Sequence, residues 1–288
     1  MTDLAALRSE AEIIASSLPG LGFKSTESQA PHVGSAGRRK AGTGEHYWQH
    51  RRYAKEDDSS RVDWRRSAKG EDLYVKETEL ETARTALFWC DPHPGFDWRG
   101  GEDRRTKADE ARIIMMALGT LLSRDGDRIG VLGSGRTPSF GKKAVDRLAE
   151  DLATDQSGGF PSPPRGAAFA VIASDFYDPV ADWEARLTPL AYTCKEGVLL
   201  AVADPVEIEF PFEGRVRLGR PGEALRRILG RAETLKSEYK RKFRENREGL
   251  QALADRLGWR LVQHTSGTVR LQGAAKLKAA MESFGGKV

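Results

Sequence analysis

The sequence predicts a doubly wound α/β fold: a mostly parallel sheet with helices on both faces, preceded by a polar extension. Three observations lead there. Residues 85–91, 167–174 and 197–203 (TALFWCD, AAFAVIAS, GVLLAVA) are apolar at nearly every position, as strands buried on both faces are. Helical patterns separate these runs, so the strands are read as parallel and joined by right-handed crossovers. No internal repeat of fixed period interrupts the alternation.

Taken in order, residues 3–18 place Leu4, Leu7, Ile13, Ile14 and Leu18 at near-helical spacing, and Pro19-Gly20 ends the run. A short helix docking on the main domain is expected. Residues 22–36 are rich in Gly, Ser, Pro and His and read as a loop. Leu73-Tyr74-Val75 is extended. Residues 108–123 (ADEARIIMMALGTLLS) form a helix apolar around most of its circumference, hence largely buried. A strand over 127–133, an amphipathic helix over 142–154 and a helix over 183–191 follow. Residues 221–257 read as one long helical region, then come a strand at 259–264 and a helix at 274–284. Three divisions result: helix and loop at 1–36, a polar platform at 37–80, and an α/β domain at 81–288.

Composition narrows the function classes. Of 288 residues, 39% are apolar and 31% charged, which points to a chain with an extensive charged surface. The net charge of +4 does not by itself imply nucleic acid. Cys90 and Cys194 sit inside apolar runs and read as buried thiols, too few for a disulfide framework. No run reaches the length of a membrane span, and the N-terminus lacks the basic region of a signal peptide, so a cytoplasmic protein is expected.

Gly37 to Glu77 organises the rest. It has no sustained apolar period, yet it holds too many aromatic residues for a plain linker. Gly37, Gly42 and Gly44 suggest a flexible basic loop around Arg38, Arg39 and Lys40, suited to an anion. Asp58 or Ser59 is a good N-cap for a short helix over 61–69 that sets Arg61 and Arg65 on one face, with Val62 and Trp64 turned inward. Arg38, Arg39, Arg52, Tyr53, Asp57, Asp58, Arg61, Asp63, Trp64, Arg65 and Ser67 are read as an interaction platform, with a buried ion network as the structural alternative.

The ordered series Gly37-Arg38-Arg39, Gly42-x-Gly44-Glu45, Arg51-x-Tyr53, Asp57-Asp58, Arg61-x-Asp63-Trp64-Arg65, Ser67-Ala68 and Leu73-Tyr74-Val75-Lys76-Glu77 resembles the signature of the DUF58 family. The resemblance covers about residues 37–265. It implies a von Willebrand factor A-like domain and, as partner, an AAA+ ATPase of the MoxR type.

Ligands of an open α/β sheet sit beyond the carboxyl ends of its strands, and three strands here end in acids: Asp91, Asp175 and Asp204. The resemblance implies a cation loop of the form Asp-x-Ser-x-Ser at that rim. This chain reads Asp91-Pro92-His93-Pro94-Gly95, with both hydroxyls gone. Asp91 and Asp175 would hold Mg²⁺ only weakly, so no cofactor is expected. The alternative reading is that Asp91 and Asp175 cap loops or meet an arginine of the opening platform. Gly133–Gly141 (GSGRTPSFG) is neither a Walker loop nor a nucleophile elbow, and no catalytic set stands out.

Residues 226–247 are strongly basic, with Glu233/Lys236 and Glu238/Lys242 as expected helix pairs. The reading is a non-enzymatic interaction or scaffold module that engages neither membrane nor nucleic acid. The alternatives are nucleic-acid binding through that basic helix, or a metal-dependent hydrolase at Asp91 and Asp175.

Overall fold

The computed structural model describes residues 3–20, 41–53, 62–68, 72–79, 83–154, 159–166, 168–219, 221–222 and 227–284. The chain forms two compact units. Met1–Gly22 joins Arg84–Val288 in one, and Phe23–Ala83 is the other, inserted between them.

The chain opens on α1 (Leu4–Ser17), capped by the Asp3 carboxylate. In the inserted unit, β1 (Ala41–Arg52) pairs antiparallel with β2 (Tyr74–Glu79), Arg52 opposite Tyr74. The short helix α2 (Trp64–Ser67) lies between them in sequence. The reading of the glycines as a flexible basic loop is corrected in part: Gly42 and Gly44 lie within β1, whose pairing with β2 shifts register between Gly42 and Tyr47.

The larger unit alternates strand and helix: β3 (Thr85–Cys90), α3 (Lys107–Arg124), β4 (Arg128–Val131), α4 (Lys142–Ala153), β5 (Phe169–Ser174), α5 (Val180–Thr193), β6 (Glu196–Ala203), α6 (Pro205–Glu209), β7 (Val216–Leu218), β8 (Arg227–Leu229), α7 (Lys236–Arg256), β9 (Arg260–Thr265) and α8 (Arg270–Glu282). Five strands form one sheet, all parallel, in the order β4-β3-β5-β6-β9. This is the doubly wound α/β fold the apolar runs predict.

Alternate side chains serve the two faces. Trp89, Ile172, Leu199 and Ala201 pack with Trp183, Leu187, Leu250 and Trp259 of the α5–α7 layer. On the other face lies α3, buried over most of its length, as its nearly all-round apolar sequence requires. Leu7, Ala11 and Ile14, spaced four and three apart, turn α1 onto α3, and Arg8–Asp146 and Glu10–Arg105 ion pairs border the contact.

The expected helix over 221–257 is corrected. β7 and β8 form an antiparallel ribbon, a 3-10 turn spans Ala232–Leu235, and α7 starts only at Lys236. Pro221-Gly222 and Gly230 break the helical pattern before it can propagate. The Glu233/Lys236 pair is absent as well: Glu233 accepts from the Gly214 N–H, whereas Glu238 pairs with Lys242 at 3.2 Å.

Gly197 opens β6 against the Trp259 indole, and a Cβ there would lie 2.6 Å from the ring. A fixed indole cannot withdraw as a flexible side-chain end can. Gly197→Ala should therefore cost about 1–3 kcal/mol, read as a fall of several degrees in Tm.

Candidate functional site

The strand order puts β3 between β4 and β5, so the chain changes winding direction at β3/β5, where a crevice opens beyond the carboxyl ends. Asp91, Asp175 and Asp204 follow β3, β5 and β6 there, all buried. Their burial demands internal donors.

Asp91 accepts the Ser174 hydroxyl at 2.6 Å and the His93 N–H at 2.9 Å. Burial pushes its carboxyl above the ordinary range, and these two bonds partly oppose that. His93 closes the turn by accepting the Gly95 N–H through Nδ1 at 2.9 Å. Asp204 accepts from the Val206 N–H at 2.9 Å and from the Gly100 N–H and Ser266 hydroxyl, each at 3.0 Å. Gly100 must be glycine to come so near, since a Cβ would meet an Asp204 oxygen at 2.4 Å.

Asp175 meets a cation. Lys107, the first residue of α3 and 1% exposed, donates through Nζ to Asp175 at 3.0 Å and to Glu207 at 2.6 Å. Its ammonium also lies 4.9 Å from the Tyr177 ring centre and 5.6 Å from that of Trp98. Glu207 additionally accepts the Asp204 N–H at 2.8 Å, completing a capping box on α6. Burial holds the Glu207 carboxyl above its usual value, and Lys107 works against that. Arg247 of α7 donates to the Asp175 carbonyl at 3.0 Å and stacks over Tyr177 and Phe243. Phe176, buried with φ +55°, turns the chain sharply after Asp175.

Asp91 and Asp175 thus serve different internal donors, Ser174 and Lys107. Among the described residues, no group of three His, Cys, Asp or Glu side chains could hold a metal ion. Cys90 and Cys194 are free, buried thiols, and burial pushes them up to about 12 and about 11. At neutral pH they stay protonated and poorly nucleophilic.

Beside this network lies a cleft of about 800 Å³. Trp98, Tyr177, Phe210, Phe212 and Tyr239 supply aromatic wall, Asp175 and Glu207 the acidic floor, and Arg217 and Lys242 charges from the ribbon and α7. Phe210 and Tyr239 pack with ring centres 4.6 Å apart, Phe210 and Phe212 at 5.2 Å.

The expected platform divides. Arg38, Arg39, Asp57, Asp58 and Arg61 lie outside the described residues. Asp63, rather than Asp58 or Ser59, caps α2 by accepting the Arg66 N–H at 3.1 Å. Ser67 is internal: its buried hydroxyl donates to the Asp63 carbonyl at 2.8 Å and accepts the Tyr74 N–H at 2.9 Å. Val62 is turned inward as expected, but Trp64 is not, being 64% exposed. One turn of helix offers too little surface to bury an indole. Exposed Arg52 pairs with Asp72 at 2.9 Å, Tyr53 is half-buried, and Arg65 is exposed.

Sequence reasoning found the three acids but missed Lys107, Glu207, Tyr177 and Arg247. Asp204-Pro205-Val206-Glu207 does carry a readable capping-box pattern. Nothing local marks Lys107, whose carboxylates come from strands far along the chain.

A family model described as a protein of unknown function, DUF58, matches residues 49–249. Comparison with curated proteins and with solved structures finds no match.

Lys107→Met would leave Asp175 and Glu207 buried without their cation, at a cost of about 3–5 kcal/mol. Losing the ammonium raises the folded-state Glu207 pKa further, so the variant takes up protons on folding. Its deficit relative to the parent should be greatest at mildly alkaline pH and shrink at mildly acidic pH. Urea unfolding at the two conditions checks this; a deficit independent of pH would contradict it.

Proposed function

The chain belongs to the DUF58 family, and from that premise we propose that it is a non-enzymatic protein-interaction module. Its proposed partner is an AAA+ ATPase of the MoxR type, acting in assembly or maturation of another complex. One observation carries the reading: the acids of the sheet rim are engaged by the protein's own donors, while an aromatic-walled cleft stands open beside them. Buried, satisfied carboxylates make a stiff floor rather than a poised acid and base, since a general base must reach a substrate proton. Aromatic residues and arginine are what protein-binding surfaces concentrate.

The inserted unit adds to this support. Trp64 stands exposed on α2 next to Arg65, a pairing of the two residue types most enriched at binding hot spots. Asp63 and Ser67 have a positioning role, fixing the helix that presents Trp64.

Capture of a purified MoxR-type ATPase by the immobilised full-length chain tests the proposal. Trp64→Ala and Phe212→Ala should each weaken capture by about 2 kcal/mol, roughly thirtyfold. For Trp64→Ala, Tm should stay nearly constant because the indole is mostly exposed. Undiminished capture by both variants would exclude these surfaces, and no capture by the parent chain would remove the proposed partner.

A further inference from the structure

The chain's positive charge is not spread evenly. Residues 213–248 hold twelve Arg and Lys against six Glu, a surplus greater than the +4 of the whole chain. Within that stretch, α7 arranges its cations in two ways. Arg241 pairs with Glu245 at 2.7 Å and Lys242 with Glu238 at 3.2 Å, so these are neutralised along the helix. Lys236, Lys240 and Arg244 are exposed and have no ion pair among the described residues.

Two local rules are broken along this face. The three cations recur every four residues, so like charges stack on one side of the helix, which is unfavourable. Lys236 also occupies the first turn, where the helix dipole favours acids such as its neighbour Glu238. The N-cap, Leu235, supplies no side-chain hydrogen bond to offset this. Local conflicts left uncompensated inside a chain are expected at functional surfaces.

We propose that Lys236, Lys240 and Arg244 form a docking face for an acidic helix of a partner protein. Successive cations are separated by about 6 Å along the axis, so carboxylates at the same four-residue interval on a facing helix match them in spacing and sign. The observations favour protein over nucleic acid. This face of α7 offers three cations without an ion pair among the described residues, and Glu238, Glu245 and Glu248 on the same helix would repel a phosphate backbone. The proposal rests on the interaction-module reading, but its test requires neither the ATPase nor the cleft.

The probe is a labelled Ala-rich helical peptide of about 20 residues, long enough to be helical, with Glu at three positions spaced by four. Fluorescence anisotropy with the full-length chain should show binding that weakens as salt is raised. Lys236→Glu/Lys240→Glu/Arg244→Glu should weaken it at least about tenfold, with circular dichroism unchanged. The same peptide with Lys in place of Glu should bind the reversed chain in preference to the parent. Reversing three exposed cations on α4, Lys142, Lys143 and Arg147, should leave binding as it was. Equal loss in both triple variants, no binding at low salt, or tighter binding of a mixed-sequence DNA duplex would overturn the proposal. None of these outcomes bears on whether Trp64 and Phe212 are needed for ATPase capture.

Discussion

The ammonium of Lys107 holds the carboxyl rim of the sheet together. It is supplied by the start of α3, and its two carboxylates follow β5 and β6, so three separate crossover connections meet at one atom. Burying one cation with two acids costs desolvation. It is tolerable because the remaining lone pairs are taken: Asp175 also accepts the Tyr177 N–H, and Glu207 the Asp204 N–H. Trp98, Tyr177 and Glu207 all line the cleft, so the geometry of its walls depends on this charge balance. A divalent ion would neutralise such a rim through water-bearing, exchangeable ligands. An internal lysine offsets part of that charge permanently and sets two loops and a helix start in fixed relation.

The rest of the rim follows the same logic with mostly neutral donors, although the Arg104 guanidinium also lies 3.5 Å from Asp204. Ser174 and the His93 N–H secure Asp91, and Ser266, Gly100 and Val206 secure Asp204. The sequence places acids here and offers loop capping as one use of Asp91 and Asp175. Both do cap their loops, accepting the His93 and Tyr177 N–H groups, and Asp204 does the same with the Val206 N–H. The sequence offers an arginine as the other partner, and Asp175 meets a lysine instead, though Arg247 holds the Asp175 main chain.

How far the sequence could be read followed the range of the interactions involved. Buried parallel strands declare themselves locally because every position is apolar, and β3, β5 and β6 were clear for that reason. The β7–β8 ribbon was not. Its strands are only three residues long, and Arg217 and Arg227 within them lie in a stretch whose basic composition favours helix by propensity. Tertiary pairing overrode that preference, helped by Pro221 and Gly230. Strand β1 hid behind its glycines in the same way. Lys107 could not be found because its meaning lies in residues 68 and 100 positions away. Trp64 misled through a sound general rule, that a large aromatic seeks the interior, which fails for an indole left mostly exposed on a single helical turn.

These failures are not scattered at random. Where local and global preferences agree, as along α3 and its neighbouring strands, the chain is closed and satisfied. Disagreement gathers at the exposed indole of Trp64, at the left-handed Phe176 and Phe210 around the cleft, and at the cationic, uncapped start of α7. Phe176 is completely buried and packs on Trp183, so the surrounding core fixes its conformation and meets the strain. The indole of Trp64 and the unpaired cations of α7 have no such compensation among the described residues. Surface that remains costly after the fold has satisfied everything else is surface whose compensation comes from another molecule. That asymmetry, rather than any single side chain, separates the parts of this chain that build the scaffold from those that face a partner.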